Sequence, residues 1–205
     1  MTRSNRVFAV ALVAGALFAG QAAAGIPDGT LSEVGNITMT PGGSIEYVVT
    51  VNGSQGPVAN SLVQIVFSAE ADGLICWCAG QDHAAFSATT DAAGEARFFI
   101  AGGGCIDPAL VAAPPAATVY ADGIKLKEVG VVGPDAVDNS GLLPTEGWAP
   151  GVSCEVGLSD AALHSGAIKT GTYSFCSDMN SDLQVDLTDA VVLSVGIKAG
   201  SSCPR

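Results

Sequence analysis

Near its carboxyl end the chain carries oxygen-bearing side chains at the spacing of a calcium-binding loop. The candidate ligands, at positions 1, 3, 5, 7, 9 and 12 of a 12-residue segment, are Asp178, Asn180, Asp182, Gln184 (through its carbonyl), Asp186 and Asp189. Ca²⁺ takes six to eight oxygen ligands, and alternate residues of a coiled loop can direct theirs inward. The four carboxylates would repel one another unless a cation lay among them. The spacing therefore favours a calcium site over an acidic surface loop beside an ordinary helix.

This loop belongs to the second copy of an internal repeat. Segment 156–161 (VGLSDA) recurs 29 residues later as segment 185–190 (VDLTDA), and the same offset matches further positions as far as Gly171 and Gly200. Such self-similarity indicates a duplicated supersecondary unit. Of the ligand positions, the first copy keeps only Asp160. We therefore expect two loop–helix units but one calcium ion.

The repeat also predicts local packing. We expect Val185 to make a short β-contact with its counterpart Val156, and Val192 and Ile197 to face the helix of the other copy. Leu183 stands at loop position 6, where glycine normally supplies a left-handed turn. A residue with a Cβ in that conformation costs about 1 to 2 kcal/mol.

Catalytic chemistry has few candidate residues. The chain has two histidines, His83 and His164, and neither lies in a metal, Ser-His-Asp or Cys-His pattern. His164 falls at the repeat position that Leu193 occupies in the second copy, so we expect it to pack rather than react. A cation would hold the loop acids ionised and unsuited to general-acid work. We therefore expect that the protein is not an enzyme.

Six cysteines form the other reactive set, and an even number in an exported chain is typical of disulfides. They are Cys76, Cys78, Cys105, Cys154, Cys176 and Cys203. A metal-binding Cys76-Trp-Cys78 pair is the alternative. If the domain boundary lies between residues 134 and 148, each half holds three cysteines, and complete pairing requires a bridge between the halves. Cys203 could pair with Cys176 or with Cys154.

Residues 25–133 read as short strands separated by turn residues. Their β-branched and aromatic runs lie at 44–51, 63–67, 86–90, 95–100, 117–121 and 124–129. In the run at 63–67, alternation places Val63, Ile65 and Phe67 on one face. Many short strands at regular spacing predict a mainly β fold, and specifically a β-sandwich.

Two turns in this region carry specific expectations. Segment 91–94 (DAAG) should connect the flanking strands as a hairpin, with Gly94 at positive φ. Asp122-Gly123 suits a two-residue type I′ turn. The strand after it should place Ile124 and Leu126 on one face and the lysines that alternate with them on the other.

Composition bounds the remaining possibilities. The chain has 20 acidic against 8 basic side chains, which excludes the basic stripe of a nucleic-acid binder. With 48% apolar residues, it is also too hydrophobic for an acidic disordered tail. Residues 1–24 combine arginines, an apolar run and a small-residue site, so we expect a Sec-type signal peptide rather than a membrane span. Residues 134–147 are expected to be a linker.

Part of the first half resembles the bacterial immunoglobulin-like domains of invasin-type surface proteins. The resemblance rests on Gly56-Pro-Val-Ala-Asn-Ser61 before a core strand and on Thr90-Asp-Ala-Ala-Gly-Glu-Ala96 after it. It implies an immunoglobulin-like β-sandwich over residues 25–133 that spaces or presents something, with no shared active site.

The duplicated unit at 148–205 resembles the dockerin domain, a pair of calcium loops each followed by a helix. In that family the module docks secreted proteins onto a cohesin, and residues just before the final ligand help to select the partner. The matching residues here are Leu158, Ser159, Leu187 and Thr188. The resemblance implies binding to a cohesin-like or other extracellular protein.

These observations predict a non-catalytic secreted protein. The calcium module would attach the sandwich to an extracellular or cell-surface assembly, one connected with polysaccharide degradation. The alternatives are a structural subunit of a fibre or surface layer, and a carbohydrate-binding accessory module. The latter would need an exposed aromatic platform, and Trp77, between two cysteines, is expected to lie in the core.

Overall fold

The computed structural model describes residues 25–69, 71, 75–78, 85–108, 115–135 and 155–198. The expected signal peptide, most of the expected linker, His83, Cys154 and Cys203 lie outside them. We refer to described residues 25–135 as the β region and to 155–198 as the helical region. Among the described residues, no helix is long and apolar enough to cross a membrane.

The β region is built from short strands. In chain order these are β1 Glu33–Val34, β2 Ile37–Thr38, β3 Glu46–Thr50, β4 Asn52–Gly53, β5 Gly56–Pro57, β6 Leu62–Phe67, β7 Cys76–Trp77, β8 Ala85–Thr89, β9 Glu95–Phe99, β10 Gly102–Gly103, β11 Ala117–Ala121, β12 Ile124–Val129 and β13 Val131–Val132. Every run that the sequence marked as a strand contains one of them. The prediction of a mainly β fold is confirmed.

The larger sheet has the order β12-β11-β6-β8 with antiparallel pairing throughout. As the alternation predicted, Val63, Ile65 and Phe67 of β6 are buried. Ile65 lies opposite Val119 of β11, which is also fully buried. Cross-strand contacts between β-branched side chains of this kind stabilise a sheet.

A second sheet has the order β1-β3-β9, also antiparallel. Val49 of β3 and Val51, which directly follows this strand, join Ile65 and Val119 of the larger sheet in one buried apolar cluster. The short pairs β2-β13, which is parallel, β4-β5 and β7-β10 complete the region. The described sheets are thus open sheets with a common core.

Segment 91–94 does not close a hairpin, contrary to expectation. β8 pairs with β6 and β9 pairs with β3, so the turn carries the chain from one sheet to the other. Gly94 has the expected positive φ of 78°. The side chain of Asp91 accepts hydrogen bonds from the N–H groups of Ala93 and Glu95, at 2.8 and 3.1 Å. The same turn residues serve a hairpin or a crossing between sheets, so sequence could not separate the two.

The Asp122-Gly123 turn is the predicted hairpin connection. Both residues have positive φ, 48° and 78°, as a type I′ turn requires. A register shift between Val119 and Tyr120 alters the expected faces of β12. Leu126 is buried, but Ile124 is 39% exposed. The bulge turns the strand, so strict alternation does not hold across it.

The helical region contains two α-helices that pack against each other, α1 Leu158–Thr170 and α2 Leu187–Lys198. Their first residues are separated by the repeat offset. A short 3₁₀ helix, Phe175–Ser177, lies between them. Helix α1 ends at Thr170 and is followed by Gly171, whose φ of 62° gives a left-handed C-cap.

A disulfide between Cys105 and Cys176 joins the two regions. A bridge between the halves is what cysteine parity predicted. It also shows that the suggested pairing of Cys176 with Cys203 is wrong. Cys76 and Cys78 are disulfide-bonded as well, as the expected oxidising compartment favours over a metal pair.

The first residues of the expected linker pack against the β region instead of leading away from it. Pro134 and Asp135 are buried, and the Asp135 carbonyl accepts a hydrogen bond from the N–H of Gly104 at 2.8 Å. The β region therefore extends to Asp135 among the described residues.

Candidate calcium-binding loop

The candidate loop, residues 178–189, begins directly after the 3₁₀ helix that holds the bridged Cys176. Its backbone takes the left-handed conformation at two residues, Ser181 (φ 60°) and Leu183 (φ 66°). The second of these is position 6, where the sequence predicted such a turn despite the missing glycine. The Leu183 side chain is 76% exposed, so burial offsets little of the cost of this conformation.

The two end residues of the loop are buried carboxylates that bind its backbone. Asp178 accepts hydrogen bonds from the N–H groups of Asp182 and Leu183, each at 3.0 Å. Asp189 accepts a hydrogen bond from the N–H of Met179 at 2.7 Å. The first and last ligand positions therefore hold the loop closed.

Asp189 also has a role that both repeat copies share. Its Oδ2 accepts the N–H of Asp186 at 2.9 Å, and the Oδ2 of Asp160 accepts the N–H of Gly157 at 2.8 Å. These are equivalent positions, and each carboxylate caps the start of its helix. The first copy therefore has a structural reason to keep Asp160 even where the other ligand positions have changed.

The middle ligand positions are exposed and linked to one another. The Asn180 side-chain oxygen accepts the N–H of Asp182 at 3.1 Å, and the Asp182 carboxylate accepts the N–H of Gln184 at 2.9 Å. Asp186 accepts both the N–H and the hydroxyl of Thr188, at 2.7 and 2.8 Å. Bonds between neighbouring side chains and backbone thus organise the whole segment.

The loop places its carboxylates in two electrostatic environments. Burial raises the pKa of Asp178, and the nearby charge of Asp189 adds to the increase, while the Leu183 N–H opposes it. At the exposed position 9, the N–H and hydroxyl of Thr188 lower the pKa of Asp186. A cation near Asp178 would relieve the effect of both its burial and its acidic neighbour.

The donor set matches Ca²⁺ in type and order. The positions supply carboxylate, amide and backbone oxygens only, which hard divalent cations prefer. Across the described residues, however, no three side chains of His, Cys, Asp or Glu lie close enough together to hold a metal ion. The carboxylates are directed at backbone N–H groups, and an oxygen that accepts one such bond keeps a lone pair for a second partner.

The expected partner-selecting residues all lie on the surface. Leu158 and Leu187, the first residues of the two helices, are 88% and 77% exposed. Ser159 and Thr188 beside them are exposed too. Leu187 borders an open groove of about 470 Å³ between the helices, whose far wall includes Ile168.

One packing expectation for this region was wrong. Neither Val156 nor Val185 takes part in a β-bridge within the described residues. For Ile197, which was expected to face α1, the side chain is 39% exposed, and the residues that α2 buries are Asp189, Leu193 and Gly196. Successive residues of a helix point 100° apart, and the short apolar pattern of α2 does not determine which of its faces is buried.

His164 is buried as a packing residue of α1. Its Nε2 donates to the Pro134 carbonyl at 3.1 Å, and its Nδ1 accepts from the Ser177 hydroxyl at 3.1 Å. Burial lowers the His164 pKa to about 4, against a smaller opposing effect of the Pro134 carbonyl. The neutral ring thus joins α1 to the 3₁₀ helix and to the end of the β region.

Three contacts around the loop could not be predicted from the sequence. Met179 is almost completely buried, and its carbonyl accepts the Thr38 hydroxyl at 3.1 Å. The Ser181 hydroxyl accepts the N–H of Asn36 at 3.3 Å. The phenol of Tyr173 donates to Asp178 at 3.4 Å. The first two join segments about 140 residues apart, beyond the reach of any local pattern.

Comparison of the chain with models of protein families, with curated proteins and with solved structures finds no match.

Proposed function

We propose that the chain is a non-catalytic secreted protein whose dockerin-like calcium module attaches an immunoglobulin-like domain to an extracellular or cell-surface assembly. The observation that carries the proposal is the repeated unit: two helices that begin 29 residues apart, each capped by an equivalent aspartate. The second helix follows a loop with the ligand order of a calcium site and a left-handed residue at position 6.

The sandwich assignment is supported by the shared core. Side chains from the β12-β11-β6-β8 sheet and from the β1-β3-β9 sheet belong to one buried cluster, and segment 91–94 crosses between these sheets. Two sheets connected by crossings over a common core are the arrangement of a β-sandwich. In the proposal this domain presents a surface and has no active site.

The calcium ion would be held by the loop residues in their predicted order. Asp178 and Asp189 would bind at the buried ends, and Asn180, Asp182, the Gln184 carbonyl and Asp186 would bind between them. When bound, calcium supplies a divalent charge that neutralises the cluster of carboxylates. The first copy lacks the middle ligands, so the proposal is one ion.

The docking surface is proposed to lie on α2 more than on α1. Leu187, Val191 and Val195 recur every four residues and form one exposed apolar stripe, in which Val191 is 64% exposed. The equivalent positions of α1 are Leu158, Ala162 and Gly166. The two copies thus offer a partner the same first leucine but unequal apolar surfaces after it, and a cohesin-like or other extracellular protein would contact the larger one.

Calorimetric titration of the mature protein with Ca²⁺ tests the metal site. We expect one ion per chain, and we expect Asp182→Ala to abolish binding at micromolar calcium because it removes the position 5 carboxylate. Asp160→Asn, which alters the same capping role in the first copy, is the control and should leave the stoichiometry unchanged. No heat of binding at millimolar calcium would refute the calcium proposal.

Docking is tested separately, with a panel of purified cohesin domains as the probe. Val191→Asp places a charge in the middle of the α2 stripe and should abolish capture, whereas Ala162→Asp, at the equivalent α1 position, should not. Equal losses from both variants would contradict an α2 surface, and a failure of every cohesin to bind would contradict cohesin-type docking.

The alternative of a fibre or surface-layer subunit has one observation in its favour. Among the described strands, β9 lies at the edge of its sheet, and it carries the exposed Phe99. Such an edge can accept a strand from a neighbouring chain. Calcium-independent polymers on a sizing column, lost in a Phe99→Lys variant, would favour this function over docking.

A further inference from the structure

The residues between the first calcium ligands are the ones that contact the β region. Loop positions 1, 3 and 5 are the proposed ligands, and positions 2 and 4 are Met179 and Ser181. Met179 is buried and its carbonyl binds the Thr38 hydroxyl, while the Ser181 hydroxyl binds the N–H of Asn36. Within the first five positions, the odd ones thus carry oxygens for a cation, and the even ones carry the contacts to the β region.

The receiving segment, residues 34–38 between and including parts of β1 and β2, is itself held by the β region. The Asn36 side chain accepts the N–H of Gly130 at 3.0 Å. The phenol of Tyr47 donates to the Gly35 carbonyl at 3.0 Å, and Lys127 donates to the Val34 carbonyl at 2.7 Å. β2 in addition pairs with β13. A displacement of the loop would therefore disturb contacts to strands of both sheets.

Two further contacts keep the loop beside this segment. The Cys105–Cys176 disulfide fixes the chain two residues before the first ligand. Gly196 of α2 lies against Pro134 and Thr40, so closely that an added Cβ would come within 2.8 Å of the Pro134 ring. The segments on both sides of the loop are thus anchored to the β region, and the loop lies between the anchors.

We propose that calcium bound in the loop acts as a staple between the helical and β regions, by fixing the alternating residues Met179 and Ser181 against Thr38 and Asn36. This inference rests on the proposed calcium site and adds what the ion controls. Ligand binding at positions 1, 3 and 5 restrains the backbone between them, and that same backbone carries the two sheet contacts. Because coupling between two events is reciprocal, the sheet contacts must in turn raise calcium affinity.

Hydrogen exchange on the full mature protein, with Ca²⁺ and with chelator, tests the staple directly. We expect calcium to slow exchange of the amides of Asn36 and Gly130 in the β region at least tenfold, as well as those of the loop. The amide of Val63 in the larger sheet, distant from the loop in the pairing order, is the internal reference and should change little.

Affinity measurements test the reciprocal effect. Removing one hydrogen bond at the joint, by Ser181→Ala or by Thr38→Val, should weaken calcium binding about three- to tenfold. Ser165→Ala, an exposed serine of α1, is the control and should bind calcium as the original chain does. Ser181→Ala and Thr38→Val each remove a single hydroxyl. The exchange experiment uses the original chain, so the proposal can be tested even if a variant fails to fold.

The outcomes separate the two proposals. If no calcium binds, the proposed function fails and the staple fails with it. If calcium binds but protects only the loop and helices, and both joint variants keep the original affinity, the staple is wrong while the calcium site stands.

Discussion

At the scale of single residues, the loop shows what a spacing pattern can and cannot predict. The order of the candidate ligands and the left-handed turn at position 6 were readable from sequence, because both depend on positions along the chain. The direction of each carboxylate was not, since Asp178 and Asp189 can accept backbone N–H groups or bind a cation. Which partner a buried carboxylate has depends on the fold around it.

Leu183→Gly should stabilise the protein. Leucine at φ 66° carries a left-handed penalty of about 1 to 2 kcal/mol, and the backbone entropy of glycine offsets about half of it. We expect a net gain of about 0.5 to 1 kcal/mol in the free energy of unfolding, measured by denaturant titration in chelator. Leu183→Ala keeps the Cβ and should show no gain; an equal gain would mean that the exposed side chain, not the backbone, is responsible.

His164 should make stability fall in mild acid. The folded-state pKa of about 4 lies below the ordinary value of 6.5. Above pH 6.5, His164 is therefore neutral in both the folded and the unfolded chain, and its contribution to stability is fully present. As the pH falls towards 4, the unfolded chain takes up a proton that the folded chain does not. The loss approaches about 3 kcal/mol.

Thermal unfolding between pH 4 and 7 can isolate this contribution. His164→Gln keeps a polar side chain without a titrating ring and should unfold at lower temperature at pH 7, but with a shallower dependence on pH. Parallel pH curves for the two proteins would show that His164 is not the group responsible. The raised pKa of Asp178 acts in the opposite direction and is common to both proteins.

At the scale of elements, the sequence located strands and helices better than their pairing. The type I′ hairpin and the two repeated helices were correct, because turn chemistry and repetition are local signals. The turn at 91–94 was read as a hairpin and is a crossing, because sheet membership depends on residues far along the chain. The buried face of α2 could not be read from sequence for a related reason: apolar residues lie on most sides of that helix, so several faces could be buried.

Two glycines allow the effect of backbone conformation on stability to be separated from the effect of steric room for a side chain. A Cβ at Gly123 or at Gly166 would meet no atom within 4 Å, but Gly123 has a φ of 78° and Gly166 lies within α1. Gly123→Ala should therefore destabilise by about 1 kcal/mol, and Gly166→Ala should stabilise by about 0.5 to 1 kcal/mol. Denaturant unfolding of both variants checks the pair, and the same sign for both would contradict the type I′ turn.

At the scale of the whole molecule, the two regions form a joined structure. A covalent bridge, a buried histidine and the loop contacts all cross between them. Cysteine parity predicted that a bridge must exist but not which residues form it, since six cysteines allow 15 pairings. A resemblance to a docking module also gave no reason to expect that one side of its loop would be covered by its own chain.

The Cys105–Cys176 bridge has a consequence for proteolysis. The bonded residues are 71 positions apart, so a single cut between Asp135 and Glu155 lies inside the loop that the bridge closes. After limited digestion there, the nicked protein should run as one species on a non-reducing gel and as two fragments after reduction. Separate fragments without reductant would contradict the bridge. A protein of this design can lose the continuity of its chain and still keep loop 178–189 beside its sheets.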